Sequence, residues 1–348
     1  MKETGDRILL YHGGGGRAAR ELVREMIYQS LSGGPGDSHC VGSGGTGDGH
    51  AAYTNDKNCS LDDSALLGRL SGEVVFTTDS FVVDPVFFPG GDIGRLAVCG
   101  TVNDLSVMGA RPVALSCSLI IEEGFEIGAL RRILGSMRVA LDEAGAEVVT
   151  GDTKVVERGS ANGIYINTAG VGEISGRRMT GIESVAEGDA VIVSGSIGDH
   201  GASVLSRRKG IEFDTGIESD CAPLNGLIKR FLDAVPETKF MRDPTRGGLA
   251  GVLTDIAEGA GLGVSVDEER IPLKPQVRAL GELLGLDPMY FASEGRFVAV
   301  VPGGLAGEAV GVIERECPGA GAVAVGGIEG KNRGMVSIKT AMGSSRIM

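Results

Sequence analysis

The sequence predicts a pair of domains of the α/β or α+β class. Three observations lead there: a chain too long for one core, β-branched runs punctuated by Gly and Pro in the first half, and strands alternating with amphipathic helices in the second. Single cores stop growing at about 250 to 300 residues, whereas this chain has 348 residues, 42% of them hydrophobic. In residues 1–60, a helix is expected over Arg17–Leu31, followed by the Gly-rich stretch Ser32–Gly49. Ordering so many glycines costs much backbone entropy, so a mobile segment is expected there. Strand-like runs follow at Glu73–Val83, Pro112–Ile121, Glu147–Val156 and Gly163–Ile174. The first two read as buried on both faces. Between the second and third, Ile127, Leu130, Ile133, Leu134, Met137 and Leu141 line one face of a helix that stops at Gly145.

The polar, Gly-containing segment Ser175–Gly188 marks the boundary between domains expected over 61–178 and 186–340. Beyond it, strands are expected at Asp189–Ser194, Gly263–Val266, Arg296–Val301 and Ala322–Ile328. Leu224, Leu227, Ile228, Phe231 and Leu232 form one helical stripe, and Leu249, Val252, Leu253 and Ile256 another. Periodicity does not fix how these elements are connected.

Charge and composition exclude several functions. A net charge of -13 presents a repulsive average field to nucleic acid and anionic lipid. No apolar run approaches the roughly 20 residues of a spanning helix, and Met1–Arg7 lacks a signal-peptide pattern, so a cytoplasmic protein is expected. The six cysteines are scattered without a C-x-x-C pair, which argues for reduced core residues over zinc or a disulfide framework. The four histidines are equally isolated, so a metal would need oxygen ligands.

Four acidic positions sit beside Gly or Thr, read as strand ends or loops: Asp63 in LDDSA, Asp79 in TTDSF, Asp104 in GTVNDL and Asp152 in GDTK. Any one of them is more simply a turn or cap residue, but four together favour a magnesium–phosphate site. The GSGGTG run at 42–47 matches a dinucleotide fingerprint only formally, with no strand before it or helix after it. His12–Gly16 precedes a helix, so its amides are able to face an anion, yet it lacks the Gly-Lys-Ser/Thr of a P-loop. Lys154 reads as a phosphate contact, a proton-transfer group or a plain surface charge. Glu294, just before an apolar strand, is either catalytic or a strand-end carboxylate. In RDPTRGG, Asp243 and Arg246 pair or cap the next helix, while Gly247 and Gly248 permit close backbone approach.

Taken in order and spacing, LDDSA, TTDSFVVDPVFFPGGDIG, GTVNDLSVMGA, GDTKVV, GDHG, RDPTRGG and ASEG resemble the HypE family of hydrogenase maturation factors over nearly the whole chain. TTDS, NDL and GDT are shared with the wider superfamily of aminoimidazole ribotide synthetase, selenophosphate synthetase and thiamine monophosphate kinase. The resemblance implies an N-terminal sheet domain that completes a β-barrel with its twin in a homodimer, and a C-terminal α/β domain beside it. It implies ATP and Mg2+ as cofactors, and ATP-dependent dehydration of a protein S-carbamoyl group to a thiocyanate, the source of a cyanide ligand for [NiFe]-hydrogenase iron. The carbamoyltransferase HypF and the iron-site scaffold HypC–HypD are the implied partners.

By motif match, Asp63, Asp79, Asn103, Asp104, Asp152, Thr153, Lys154, Asp243 and Arg246 would hold the nucleotide, with Asp63, Asp79, Asp104 and Asp152 on the metal. Lys154 and Glu294 would be the catalytic pair beside the carbamoyl group. HypE proteins end Pro-Arg-Ile-Cys, the cysteine carrying that group, whereas this sequence ends in Met348. Residues 341–348 are therefore expected to be an incomplete tail, and a thioether cannot become the thiolate carrier. Two rival readings stay open at this point: another ATP-dependent kinase or synthetase of the superfamily, and a catalytically silent ATP-binding scaffold.

Overall fold

The computed structural model describes residues 7–14, 16–31, 64–176, 179–208, 216–340 and 342–348. The Gly-rich stretch Ser32–Gly49, the run at 42–47, Asp63, Cys40 and Cys59 lie outside the described residues. At the start of the chain α1 (Arg17–Glu21), a π-helical segment (Leu22–Tyr28) and α2 (Gln29–Leu31) form a continuous helix over the expected span.

The first sheet is built from β1 (Glu73–Phe81), β4 (Arg111–Glu122), β5 (Val148–Val156) and β6 (Ile164–Ile174), in the order β1-β6-β4-β5. A small hairpin, β2 (Phe87–Phe88) with β3 (Gly91–Asp92), leads into α3 (Ile93–Val107). β4 and β5 run parallel and are joined by α4 (Ile127–Ala144), a crossover unit. As the apolar spacing requires, Leu130, Ile133, Leu134, Met137 and Leu141 are fully buried. Gly145 ends the helix in the left-handed region at φ 61°, its N–H turned back to the Leu141 and Asp142 carbonyls.

Two expectations fail for physical reasons. β1 is an edge strand whose outward residues Val74 and Phe76 are 57% and 66% exposed, so within one chain it is not buried on both faces. Asp104 is neither at a strand end nor in a loop: it sits in the last turn of α3, an element without a readable stripe because thirteen of its fifteen residues are buried. A helix packed on all sides loses the amphipathic signal. Its start is set by Asp92, whose carboxylate accepts the Gly94 and Arg95 amides at 2.8 and 3.0 Å.

The second sheet has seven strands in the order β13-β12-β9-β11-β7-β10-β8. Along the chain its elements are β7 (Ala190–Val193), α5 (Asp199–Leu205), α6 (Asn225–Ala234), β8 (Phe240–Arg242), α7 (Gly248–Ala260) and β9 (Gly263–Asp267). There follow α8 (Pro275–Leu284), β10 (Val298–Val301), α9 (Ala306–Glu316), β11 (Val323–Glu329), β12 (Val336–Lys339) and β13 (Ser345–Ile347). Residues 345–347 of the expected tail thus pair with β12. The two halves share core: Val204 and Cys221 join the cluster under the first sheet, and Val107 at the end of α3 joins a cluster of the second. Cys99, Cys117 and Cys221 are buried free thiols, but Cys317 is exposed. Among the described residues no helix is long and apolar enough to cross a membrane.

Candidate functional site

Alternation along β1 sends Thr77 and Asp79 to the side of the sheet that carries α3. There the Asp104 carboxylate accepts the Thr77 hydroxyl at 2.8 Å. Asp79 accepts a guanidinium N–H of Arg246 at 3.2 Å, a contact between the two halves of the chain. Asp243, directly after β8, and Glu294, before β10, complete a group of carboxylates at this junction. Gly248 lets the intervening turn fit: at φ 58° a Cβ would also stand 2.5 Å from the Met289 carbonyl.

Crowding of like charges away from water shows in the proton affinities. Burial raises the Asp104 carboxyl against the Thr77 hydrogen bond, and Asp79 adds to the rise. Asp243 is pushed up to about 7 by burial and then by Asp104. Glu294 is lifted well above the ordinary carboxylate range by burial, with Asp243, Asp220 and Asp79 adding repulsion.

Asn103, one residue before Asp104, is committed to backbone. Its amide donates to the Ala222 and Glu294 carbonyls at 3.1 and 3.0 Å, and its oxygen accepts the Leu224 N–H at 2.8 Å. Sequence reasoning missed the groups behind Glu294. Asp220 accepts three backbone amides, and Arg296 stands 3.9 Å from it. His200 of GDHG lies edge-on to Phe88 of DPVFFPGG at 5.2 Å, and burial pushes its imidazole down to about 4. Two of the motifs that carry the resemblance thus meet in space, which their separation in sequence hides. Cys99 and Cys221 are hydrogen-bonded thiols alongside, and this contact with burial holds Cys221 well above the usual thiol range.

The β5 residues lie elsewhere. Asp152 is opposite Ser118, which is opposite Asn167, which is opposite Ser80. Asp152 and Lys154 therefore share the outward face, on the far edge strand from Asp79, while Thr153 points to the helix side. Three strand spacings separate the edges, about 14 Å. Lys154 and Asp152 approach each other at 3.8 Å with both side chains more than 60% exposed. No motif reveals this division, because strand order is not written in local sequence.

Among the described residues no three His, Cys, Asp or Glu side chains are already gathered as metal ligands. The donor set nevertheless fits magnesium. Asp79, Asp104 and Asp243 offer only oxygens, and their mutual repulsion is what a hard cation relieves. Magnesium typically takes one or two carboxylates with phosphate oxygens and waters, so a complete protein cage is not required.

Comparison with known proteins places this geometry. Residues 61–174 match the family described as AIR synthase related protein, N-terminal domain, and residues 186–339 match AIR synthase related protein, C-terminal domain. A protein of Rhodobacter capsulatus named carbamoyl dehydratase HypE is 44% identical over 343 residues, spanning 99% of this chain and 95% of that protein. The crystal structure of hydrogenase maturation protein HypE in complex with ATP is similar at a TM-score of 0.86 and 39% identity, over 97% of this chain and 96% of that one. A chain of a HypE–HypF complex is similar at a TM-score of 0.76 and 46% identity, over 79% of this chain and 90% of that one. The chain belongs to the AIR synthase related family and, within it, to the carbamoyl dehydratase HypE proteins.

Proposed function

We propose that the junction of the two halves is the site at which ATP drives dehydration of a thiol-bound carbamoyl group to a thiocyanate, the step that supplies cyanide during hydrogenase maturation. The observation that carries this reading is Glu294, a carboxylate of raised proton affinity beside Asp243, Asp220 and Asp79. A carboxyl group lifted towards neutrality is a stronger base when ionised, and removal of amide protons needs such a base.

In the first step the carbamoyl oxygen attacks the γ-phosphoryl group, ADP leaves, and one N–H proton passes to a base. The remaining C–O bond then breaks as phosphate departs, the second N–H proton leaves, and a C≡N bond results. Water is removed as part of phosphate. Magnesium, when bound, offsets the negative charge of the triphosphate. Asp79 and Asp104 would hold it, with Asp243 beside them and Arg246 turning from Asp79 to the phosphates. Asn103 acts as a positioning group, since all its hydrogen bonds go to backbone.

Lys154 enters through a second copy of the chain. Within one chain it lies on the face and edge away from Glu294. A twin docked on the exposed Val74 and Phe76 face, related by a two-fold axis along the strands, brings its own Asp152–Thr153–Lys154 edge towards Asp79. This is the reading under which Lys154 and Glu294 flank one carbamoyl group, and it supports the homodimeric barrel. Asp63, directly before the described segment, joins the metal set by motif alone. A cytoplasmic setting, HypF as carbamoyl donor and HypC–HypD as cyanide acceptor complete the proposal. HypF is favoured because a solved relative is a HypE–HypF complex.

The test supplies a synthetic peptide bearing an S-carbamoyl cysteine together with ATP and magnesium. ADP and peptide thiocyanate should form in equal amounts, and Glu294→Gln should bind ATP but form thiocyanate about 100- to 10,000-fold more slowly. ADP formation indifferent to the peptide would remove the dehydratase assignment in favour of a kinase or idle ATPase.

A further inference from the structure

The loop that bears Glu294 is gripped from beneath by a carboxylate the reaction does not touch. The Asp220 side chain is 1% exposed. One of its oxygens accepts the Glu294 N–H at 3.2 Å and the His200 N–H at 3.1 Å; the other accepts the Gly295 N–H at 3.3 Å. Two successive amides thus converge on one carboxylate, an arrangement that fixes the plane of both peptides. The fit leaves no slack, because a Cβ on Gly295 would stand 1.8 Å from the Asp220 carbonyl. On its other side the Glu294 carbonyl accepts Asn103, which also binds the Ala222 carbonyl and Leu224 N–H of the segment carrying Asp220. The circuit is closed, and the Glu294 Cα–Cβ direction is set within it.

Burying a carboxylate is costly, and here compensation is partial. Among the described residues its one close cation, Arg296 at 3.9 Å, is itself engaged with the Ser196 and Gly295 carbonyls. A loop merely needing closure would be served by a neutral side chain.

We propose that Asp220 is a positioning residue for the reaction, holding the peptides on both sides of Glu294 so that its carboxylate meets the carbamoyl nitrogen. The proposal rests on the reading of Glu294 as the base. It predicts an effect on turnover, not on nucleotide binding, because Asp220 lies behind Glu294 and contacts neither Asp79 nor Asp104.

The experiment is a double-mutant cycle on the full chain with the S-carbamoyl peptide. Asp220→Ala should lower kcat by about 100-fold, the scale of an ångström misplacement of a catalytic group, with the KM for ATP nearly unchanged. Asp220→Asn keeps an acceptor for the Glu294 N–H but turns a donor towards Gly295, and should lose about 10-fold. In a Glu294→Gln background both losses should vanish, since a positioning residue has nothing left to position. Multiplicative losses in that background, unchanged turnover in either single variant, or parallel loss of ATP binding would overturn the proposal. Should the alanine variant fail to fold, the asparagine cycle measures the same coupling between Asp220 and Glu294. Wild-type turnover by Glu294→Gln alone would instead strike the underlying reading of the base, and the two failures are distinct.

Discussion

Replacing Asp243 with Asn should raise the stability of the nucleotide-free protein at high pH and flatten its pH dependence. The Asp243 carboxyl rises from 3.8 to about 7, so the folded state binds its proton more tightly than the unfolded chain does. The sign follows from linkage. Below pH 4 both states are protonated and the group costs nothing; as pH rises through 4 to 7 the folded state must ionise a buried group beside Asp104, and stability is lost. A rise of that size is worth about 4 kcal/mol at most, from about 1.4 kcal/mol per tenfold change in proton affinity. Asp104 shares the repulsion and relieves part of it by taking up a proton itself, so a gain of about 2 to 4 kcal/mol at pH 8 is expected for Asp243→Asn. Urea unfolding at pH 5 and pH 8, with magnesium removed, measures this. Parallel pH dependence in wild type and variant would refute the idea that burial and Asp104 load this carboxylate.

Asp79→Asn and Asp104→Asn should each abolish magnesium-dependent ATP turnover while leaving circular dichroism unchanged; ATPase activity preserved in both removes the metal assignment. Phe76→Lys, on the outward face of β1, should convert a dimer near twice 35.8 kDa to a monomer in light scattering, since the residue is 66% exposed within one chain. A monomeric wild type would count against the barrel itself. Gly248→Ala should destabilise the fold by about 1 to 3 kcal/mol in thermal unfolding, because its left-handed backbone and the Met289 carbonyl both exclude a side chain.

Much of the fold is readable in the sequence because its strands are β-branched and its outer helices are half wet. The four runs expected in the first half correspond to β1, β4, β5 and β6 within a few residues, and the Gly145 stop of α4 is where the stripe ends. The helix that matters most to the site, α3, escapes because burial on every side erases its stripe, and α5, α8 and α9 are not foreseen either. The candidate site divides in the same way. Asp79, Asp104, Asp243, Arg246 and Glu294 stand in recognisable motifs and converge in space. Asp220 has no such signal, because its work is to hold backbone amides, which many sequences do, and His200 lies in the GDHG motif without any spacing that reveals the ring it packs against. The separation of Asp152 and Lys154 from Glu294 depends on strand order, a long-range property that neither periodicity nor spacing contains.

The mechanism turns on departure of the carbamoyl oxygen as phosphate at the Glu294 site. An S-carbamoyl peptide labelled with heavy oxygen in its carbonyl, incubated with the protein, magnesium and ATP, decides this by mass spectrometry of both products. One labelled oxygen should appear in inorganic phosphate for each thiocyanate formed. Unlabelled phosphate with the label retained in the peptide would contradict this route.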